Sequence, residues 1–248
     1  MLNQQFYQFM YERMPQFQLD TDTQLAFAAK KMQQILELLP KKVDKALELG
    51  SGVGYDAIAL NQLGVKVTAI EFEQGAIDIA NTLQKQLDTQ VEFVQADFYQ
   101  YQPEKLFDFI YYIDGFGAFS DSQQQELLNR IASWLKPNGY AYIDVYNADY
   151  WRTTHNVTMQ FTDTLSRVYQ YDESEHQFID SWYDAQTDER QVQVLKCYTL
   201  EDIKQMIEQA GLTVHSVTPS GKMDYEKMVW IDQATLTDCM YFQVCVVK

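Results

Sequence analysis

Hydrophobic and polar positions along this chain alternate between two repeats, one suited to helices and one to strands. The segment 23–39 carries Leu25, Ala28, Ala29, Met32, Ile35, Leu36 and Leu39 at helical spacing and meets Pro40, which cannot continue a helix. A shorter helix is expected over 4–12, so the first 40 residues form an N-terminal helical segment. From there the periods alternate: strand 44–49, helix 55–63, strand 65–70, helix 75–87, and strands 91–95 and 107–113. A helix over 121–135 follows, with Ser120 and Gln123 spaced as a capping box and Leu127, Leu128, Ile131, Trp134 and Leu135 on one face. Strand 139–145 comes next. Thr199 and Asp202 then cap a last helix that turns Ile203, Met206, Ile207 and Ala210 inward and stops at Gly211, before strands 212–218 and 241–247. Such alternation predicts an α/β fold: a doubly wound, mostly parallel seven-stranded sheet with helices on both faces, making one folded unit of residues 1–248.

The interval 147–197 interrupts that rhythm after the fifth strand. Residues 191–195 alternate polar with apolar, 178–183 are rich in aromatic and β-branched side chains, and polar clusters at 172–175 and 184–190 separate the runs. The pattern predicts a three-stranded antiparallel meander over about 165–197 with one wet face. Ligands in open α/β sheets bind outside the carboxyl ends of the strands, and the insertion leaves the fifth strand at that end. It is therefore expected to act as a lid; a meander that extends the surface or mediates a homodimer is the alternative.

The candidate chemistry begins at residues 46–54, where an apolar strand runs through Glu48 into Gly50, Ser51, Gly52, Val53 and Gly54. Glycines at a strand-to-helix turn let backbone N–H groups approach a ligand that any Cβ would hold away. Glu71 lies 21 residues after Gly50, at the end of the run 65–70, where an acid can accept both ribose hydroxyls of a nucleotide. The dinucleotide fingerprint would need a third glycine at position 55, and Tyr55 stands there instead. A nicotinamide-dependent oxidoreductase is thereby a weaker reading.

The spacing Glu48-x-Gly50-x-Gly52-x-Gly54 resembles the first motif of the class I S-adenosylmethionine-dependent methyltransferases, and the helix start Tyr198-Thr199-Leu200-Glu201-Asp202-Ile203 resembles that of the family's small-molecule branch. The likeness continues for about a hundred residues, through Gln95-Ala96-Asp97-Phe98, then 107–115 and then Leu135-Lys136-Pro137-Asn138-Gly139. It implies S-adenosyl-L-methionine as cofactor, with Glu48 steering the methionine ammonium, Gly50 to Gly54 making room for the methionine portion and Glu71 on the ribose. It further implies Asp97 at the adenine amino group, Phe72 or Phe98 against the ring, and Ile113 and Asp114 bordering the transfer site. Glu73 departs from the small hydroxyl residue common in that family two positions after the ribose acid. Asp114-Gly115-Phe116-Gly117 departs from the signature of enzymes that methylate base amino groups.

Charge narrows the acceptor. A formal net charge of −16, without a basic cluster larger than pairs such as Lys30-Lys31, argues against nucleic acid, because binding a phosphate backbone requires Lys and Arg to replace counterions. No apolar run approaches the roughly 18 residues of a membrane span, and no secretory leader pattern opens the chain, so a cytoplasmic protein off the membrane is expected. Cys197, Cys239 and Cys245 form no metal or disulfide spacing and read as small buried residues; no metal is expected. Ten aromatics between Tyr146 and Tyr198, with an excess of Asp and Glu, favour a small amine acceptor over a hydroxyl one. Phe116, Tyr146, Trp151 and His155 are the candidate substrate contacts, with His155 the candidate base because an imidazole titrates near working pH. A protein that binds the cofactor without transferring a methyl group is the remaining alternative.

Overall fold

The computed structural model describes residues 2–248, with side chains from Gln5 onward. Helices α1 (Leu2–Arg13) and α2 (Thr21–Leu38) come first; Asp20 caps α2 by accepting the Thr23 N–H. The alternating segment follows as β1 (Lys45–Leu49), α3 (Tyr55–Gln62), β2 (Lys66–Glu71), α4 (Gln74–Gln86), β3 (Glu92–Gln95), β4 (Phe107–Phe116), α5 (Asp121–Trp134) and β5 (Leu135–Tyr146). Every element expected from the hydrophobic pattern in this stretch is present. The Ser120–Gln123 capping box forms, each residue's backbone N–H donating to the other's side chain. After a short helix α6 (Ala148–Arg152) come β6 (Thr158–Gln160), β7 (Leu165–Asp172), β8 (Gln177–Asp184), β9 (Glu189–Lys196), α7 (Leu200–Gln209), β10 (Thr213–Pro219), β11 (Lys222–Asp224), β12 (Val229–Ile231) and β13 (Tyr241–Val247).

Seven strands make one sheet in the order β10-β13-β5-β4-β1-β2-β3. β1 pairs in parallel with β2 on one side and β4 on the other, and β2 pairs in parallel with β3. The chain runs outward from β1 to β3 and then returns across β1 to β4, so the direction of winding reverses between β1 and β4. Right-handed crossovers then place α3 and α4 on the same face of the sheet. That reversal is the position where doubly wound sheets bind ligands.

The chain divides into two compact units. The first, the glycine-loop unit, comprises Gln18–Ile113, Arg130–Tyr142 and the last two residues. Its core is the apolar interior of the sheet, Leu47, Leu49, Ile70, Phe109 and Ile110, with Ile58 and Leu60 of α3 laid on it, all fully buried. The second, the meander unit, comprises the chain to Phe17, Asp114–Asn129 and Ile143–Val246. It holds the inserted sheet, which is antiparallel as expected but has four strands, β6-β7-β8-β9, rather than three. β6 is only three residues long and offers too little alternation to be seen in the sequence.

Along β8, Phe178, Asp180, Trp182 and Asp184 are buried, while Val192 and Val194 of β9 are exposed, so the sheet has one dry and one wet side. Phe6 and Phe9 of α1 pack with Trp182 and Leu165. The two buried acids of β8 are satisfied: Arg167 binds Asp180 through two bonds of 2.7 and 2.6 Å, and Arg13 reaches Asp184 at 2.8 Å. The hairpin of β11 and β12, again of three-residue strands, was not legible in the hydrophobic pattern. The three cysteines are buried and free. Among the described residues no helix is long and apolar enough to cross a membrane.

Candidate functional site

The turn after β1 is built by backbone conformations that side chains oppose. Gly50, Gly52 and Gly54 have φ of 67°, 54° and 84°, the left-handed region that costs an L-residue roughly 1–2 kcal/mol. Gly54 is also required by space, since a Cβ there would lie 2.6 Å from Cζ of Phe93 and 3.0 Å from Cβ of Ala80. The loop is held against β2 by the Ser51 N–H, which donates to the Ile70 carbonyl at 2.9 Å.

Glu71 ends β2 and fixes the loop from that side. Its Oε2 accepts the Gly52 N–H at 2.9 Å, and its Oε1 accepts the N–H groups of Phe72 and Glu73 at 2.8 and 2.9 Å. Burial pushes its pKa up while the three N–H donors pull it down, with a net rise. A carboxylate has about four lone-pair directions, and three are used here. Accepting both ribose hydroxyls, as the sequence suggested, would require one backbone bond to give way. Two residues on, Oε1 of the half-buried Glu73 is enclosed without a hydrogen-bond partner.

Glu48 is buried within β1 and faces Tyr111 of β4, because the register pairs these two residues and neighbouring strands present paired side chains on one face. The Tyr111 hydroxyl donates to its Oε2 at 3.1 Å. Burial raises the Glu48 pKa well above its ordinary value, the nearby Asp56 charge adds to the rise, and the Tyr111 hydrogen bond and Lys31 oppose it. Lys31 of α2 pairs with Asp56 of α3 at 2.6 Å. These two residues, with Gln24, Phe27, Ala28, Ser51 and Tyr55, line a cavity of about 160 Å³. Ser51 Oγ is buried and has no hydrogen-bond partner. A polar cradle with an orphaned hydroxyl and an uncompensated buried acid suits a ligand carrying both donors and charge.

Asp97 is exposed at the end of β3, its Oδ1 accepting the Tyr99 N–H at 2.8 Å and its Oδ2 the Gln100 amide at 3.2 Å. Phe98 is buried, its ring 5.4 Å from that of Tyr112. A Cβ on Gly50 would sit 3.7 Å from Tyr112 and 4.0 Å from Phe98, so these rings back the glycine loop. Phe72 and Ile113 are half-buried.

The remaining candidates belong to the meander unit. Asp114 has φ of 55° and accepts the Tyr146 hydroxyl at 2.6 Å. Phe116 and Trp151 are buried, the latter donating its indole N–H to the Met240 carbonyl at 3.0 Å. His155 is exposed, and its Nδ1 accepts the Tyr171 N–H at 3.1 Å, which occupies one of its two ring nitrogens in holding the insertion together. Tyr111, Lys31, Asp56 and Tyr241 were not singled out by sequence. Register alone could have found Tyr111, once β1 and β4 were known to be neighbours; the others depend on tertiary packing and leave no local signal.

A family model described as "Methyltransferase domain" matches residues 22–217. The chain belongs to the methyltransferase-domain family. A cypemycin N-terminal methyltransferase of Streptomyces sp. is 34% identical over 102 residues, 40% of each chain. A ubiquinone biosynthesis O-methyltransferase of Rickettsia felis (strain ATCC VR-1525 / URRWXCal2) is 33% identical over 101 residues, 41% of each chain. The matched region thus spans about two fifths of these relatives' own length. Among solved structures, an S-adenosylmethionine-dependent methyltransferase from Clostridium acetobutylicum ATCC 824 superposes with a TM-score of 0.72 at 14% identity, covering 98% of both chains. The CcbJ methyltransferase from Streptomyces caelestis gives 0.70 at 17% identity over 88% of both. At such identities the likeness is one of fold, and it agrees with the architecture expected for a methyltransferase-domain chain.

Proposed function

We propose that this chain is an S-adenosyl-L-methionine-dependent methyltransferase acting on a small-molecule acceptor. The observation that carries the reading is the bond from the Gly52 N–H to Glu71, which joins a glycine turn without side chains to a strand-end acid at the switch point of the sheet. The residues fit the cofactor: a Cβ-free cradle, an orphaned Ser51 hydroxyl, and a buried Glu48 that lacks a full counter-charge.

When bound, the cofactor supplies a methyl carbon already activated on a sulfonium. The protein's share is therefore alignment and exclusion of water rather than a dedicated base. Glu48, held by Tyr111, takes the ammonium end, and Ser51 gains a partner there. Glu71 accepts one ribose hydroxyl at the direction still open on its carboxylate, and Glu73, with its enclosed Oε1, is the acceptor for the second. Asp97 receives the adenine amino group, and Phe72 borders the ring, while Phe98 supports the loop from behind. Ile113 and Asp114 lie at the methyl end. The charge of −16 disfavours a nucleic-acid acceptor, which agrees with a small molecule, and the exposed side of the inserted sheet is the face for any homodimer contact.

Calorimetric titration with S-adenosylmethionine, S-adenosylhomocysteine and NAD tests the reading, followed by labelled-methyl transfer to a metabolite panel. One-site binding of the two sulfur ligands, with none of NAD, is the expected result. Binding of NAD alone would overturn it.

A further inference from the structure

The meander unit contains an assembly of polar atoms of its own. Asp114 begins the second segment of this unit, and its Oδ1 accepts two phenol hydrogens, from Tyr146 at 2.6 Å and from Tyr241 at 3.2 Å. The three residues come from β4, β5 and β13. The Tyr146 and Tyr241 rings meet edge-to-face at 5.0 Å, and Tyr146 lies 5.4 Å from Trp151. Asp114 itself is exposed, so its carboxylate stands at the rim of an aromatic wall rather than inside it.

The direction of the two hydrogen bonds decides what this rim can recognise. Burial raises the pKa of both phenols, and the Asp114 charge raises them further, so both remain protonated donors at working pH and neither serves as a base. With those hydrogens turned toward Asp114, a visitor meets the exposed carboxylate and the half-buried Tyr241 ring, while Tyr146 and Trp151 are buried behind them. Asp144 also acts on the Tyr241 hydroxyl, adding negative charge. The guanidinium of Arg167 is committed to Asp180 by its two bonds and does not cancel it. A carboxylate flanked by aromatic faces attracts an alkylammonium through charge, N–H donation and the ring quadrupole together. An anion or a bare carbonyl would meet only acceptors.

We propose that Asp114, oriented by Tyr146 and Tyr241, is the recognition point for the acceptor, and that the acceptor is an amine captured as its ammonium, which gives one N–H proton to solvent at this exposed rim before its freed lone pair takes the methyl group. This rests on the methyltransferase reading and specifies its substrate class. Tyr146 and Tyr241 are positioning residues, while Asp114 touches the substrate.

The test uses protein saturated with S-adenosylhomocysteine, whose own affinity is measured first. Phenethylammonium chloride and its neutral isostere 2-phenylethanol are then titrated and followed by ligand-observed NMR and tyrosine fluorescence. The cation should bind saturably and at least about tenfold more tightly than the alcohol, the scale of one charge-assisted contact. Asp114→Asn, which suits the left-handed backbone, should weaken the cation about tenfold and leave the alcohol and S-adenosylhomocysteine within about twofold. Tyr241→Phe should weaken the cation about threefold, as expected for one neutral donor lost to the carboxylate, and it keeps the test open should the Asn variant misfold. Equal binding of the two probes, absence of saturation by the cation, or an Asp114→Asn variant that binds it undiminished would each overturn the proposal. So would a parallel fall in S-adenosylhomocysteine affinity, which would assign Asp114 to the cofactor. If the wild type binds no S-adenosylhomocysteine, the methyltransferase reading fails separately, and the cation titration repeated without it still judges the assembly.

Discussion

The two compact units achieve polar order by opposite means. In the glycine-loop unit, the functional surface is mostly main chain: Gly52, Phe72 and Glu73 donate backbone N–H groups to one carboxylate, and the residues concerned lie within a short stretch of sequence. In the meander unit, order comes from long side chains that meet across large separations, such as Arg13 with Asp184 and Tyr241 with Asp114, which are 171 and 127 positions apart. A site made of backbone can therefore be written in a local motif, whereas a site made of converging side chains cannot. Their sensitivities differ as well, because a glycine turn fails by added volume and a buried ion pair by lost partners.

The largest effect is expected on the side-chain unit. Arg13 is buried and binds Asp184, Thr187 and Glu189. Arg13→Ala would leave Asp184 buried without its counter-charge, at a cost of about 3–5 kcal/mol in urea denaturation. A loss below about 1 kcal/mol would show that α1 is held by its apolar contacts instead. The backbone unit is next: Gly54→Ala adds left-handed strain and a clash with Phe93, together about 3 kcal/mol by the same measurement. A near-neutral result would mean that Phe93 yields and the loop is looser than it looks.

Smaller effects sharpen the division within the ribose site. Glu71→Gln loses a charged acceptor and should weaken S-adenosylhomocysteine by about tenfold or more in calorimetry, whereas Glu73→Gln should cost about threefold. Reversal of that order would make Glu73 the main ribose ligand.

The smallest effect is on pH dependence. The folded pKa of Glu48 is raised above its ordinary value of 4.5, chiefly by burial and then by Asp56. The folded state therefore keeps a proton that the unfolded chain has released. The stabilisation tied to Glu48 is complete below about pH 4.5 and is lost as pH rises through the raised folded value. Glu48→Gln should remove this slope, so the melting temperature of wild type minus variant falls with rising pH. A flat difference would contradict the burial of an uncompensated carboxylate.

Legibility followed the same division. The order of β1 to β5, the glycine turn, Glu71 and the caps of α5 and α7 could be read because each is set by residues a few positions apart. β6 and the β11–β12 hairpin escaped notice, since three-residue strands contain barely one alternation. The Glu48–Tyr111 bond needed the strand order, and the Asp114–Tyr241 bond needed the whole fold. His155 stood out by residue type, yet the fold gives its Nδ1 to a backbone N–H, and the sequence holds no trace of that partner.

A crystal structure of the protein with S-adenosylhomocysteine shows whether the glycine turn and Glu71 together hold an S-adenosyl group. A ribose hydroxyl is expected within hydrogen-bond distance of Glu71 Oε2 while the Gly52 N–H bond persists, with the amino-acid end toward Glu48 and Ser51. A ligand bound away from this turn, or one whose ribose makes no contact with Glu71 or Glu73, would contradict it.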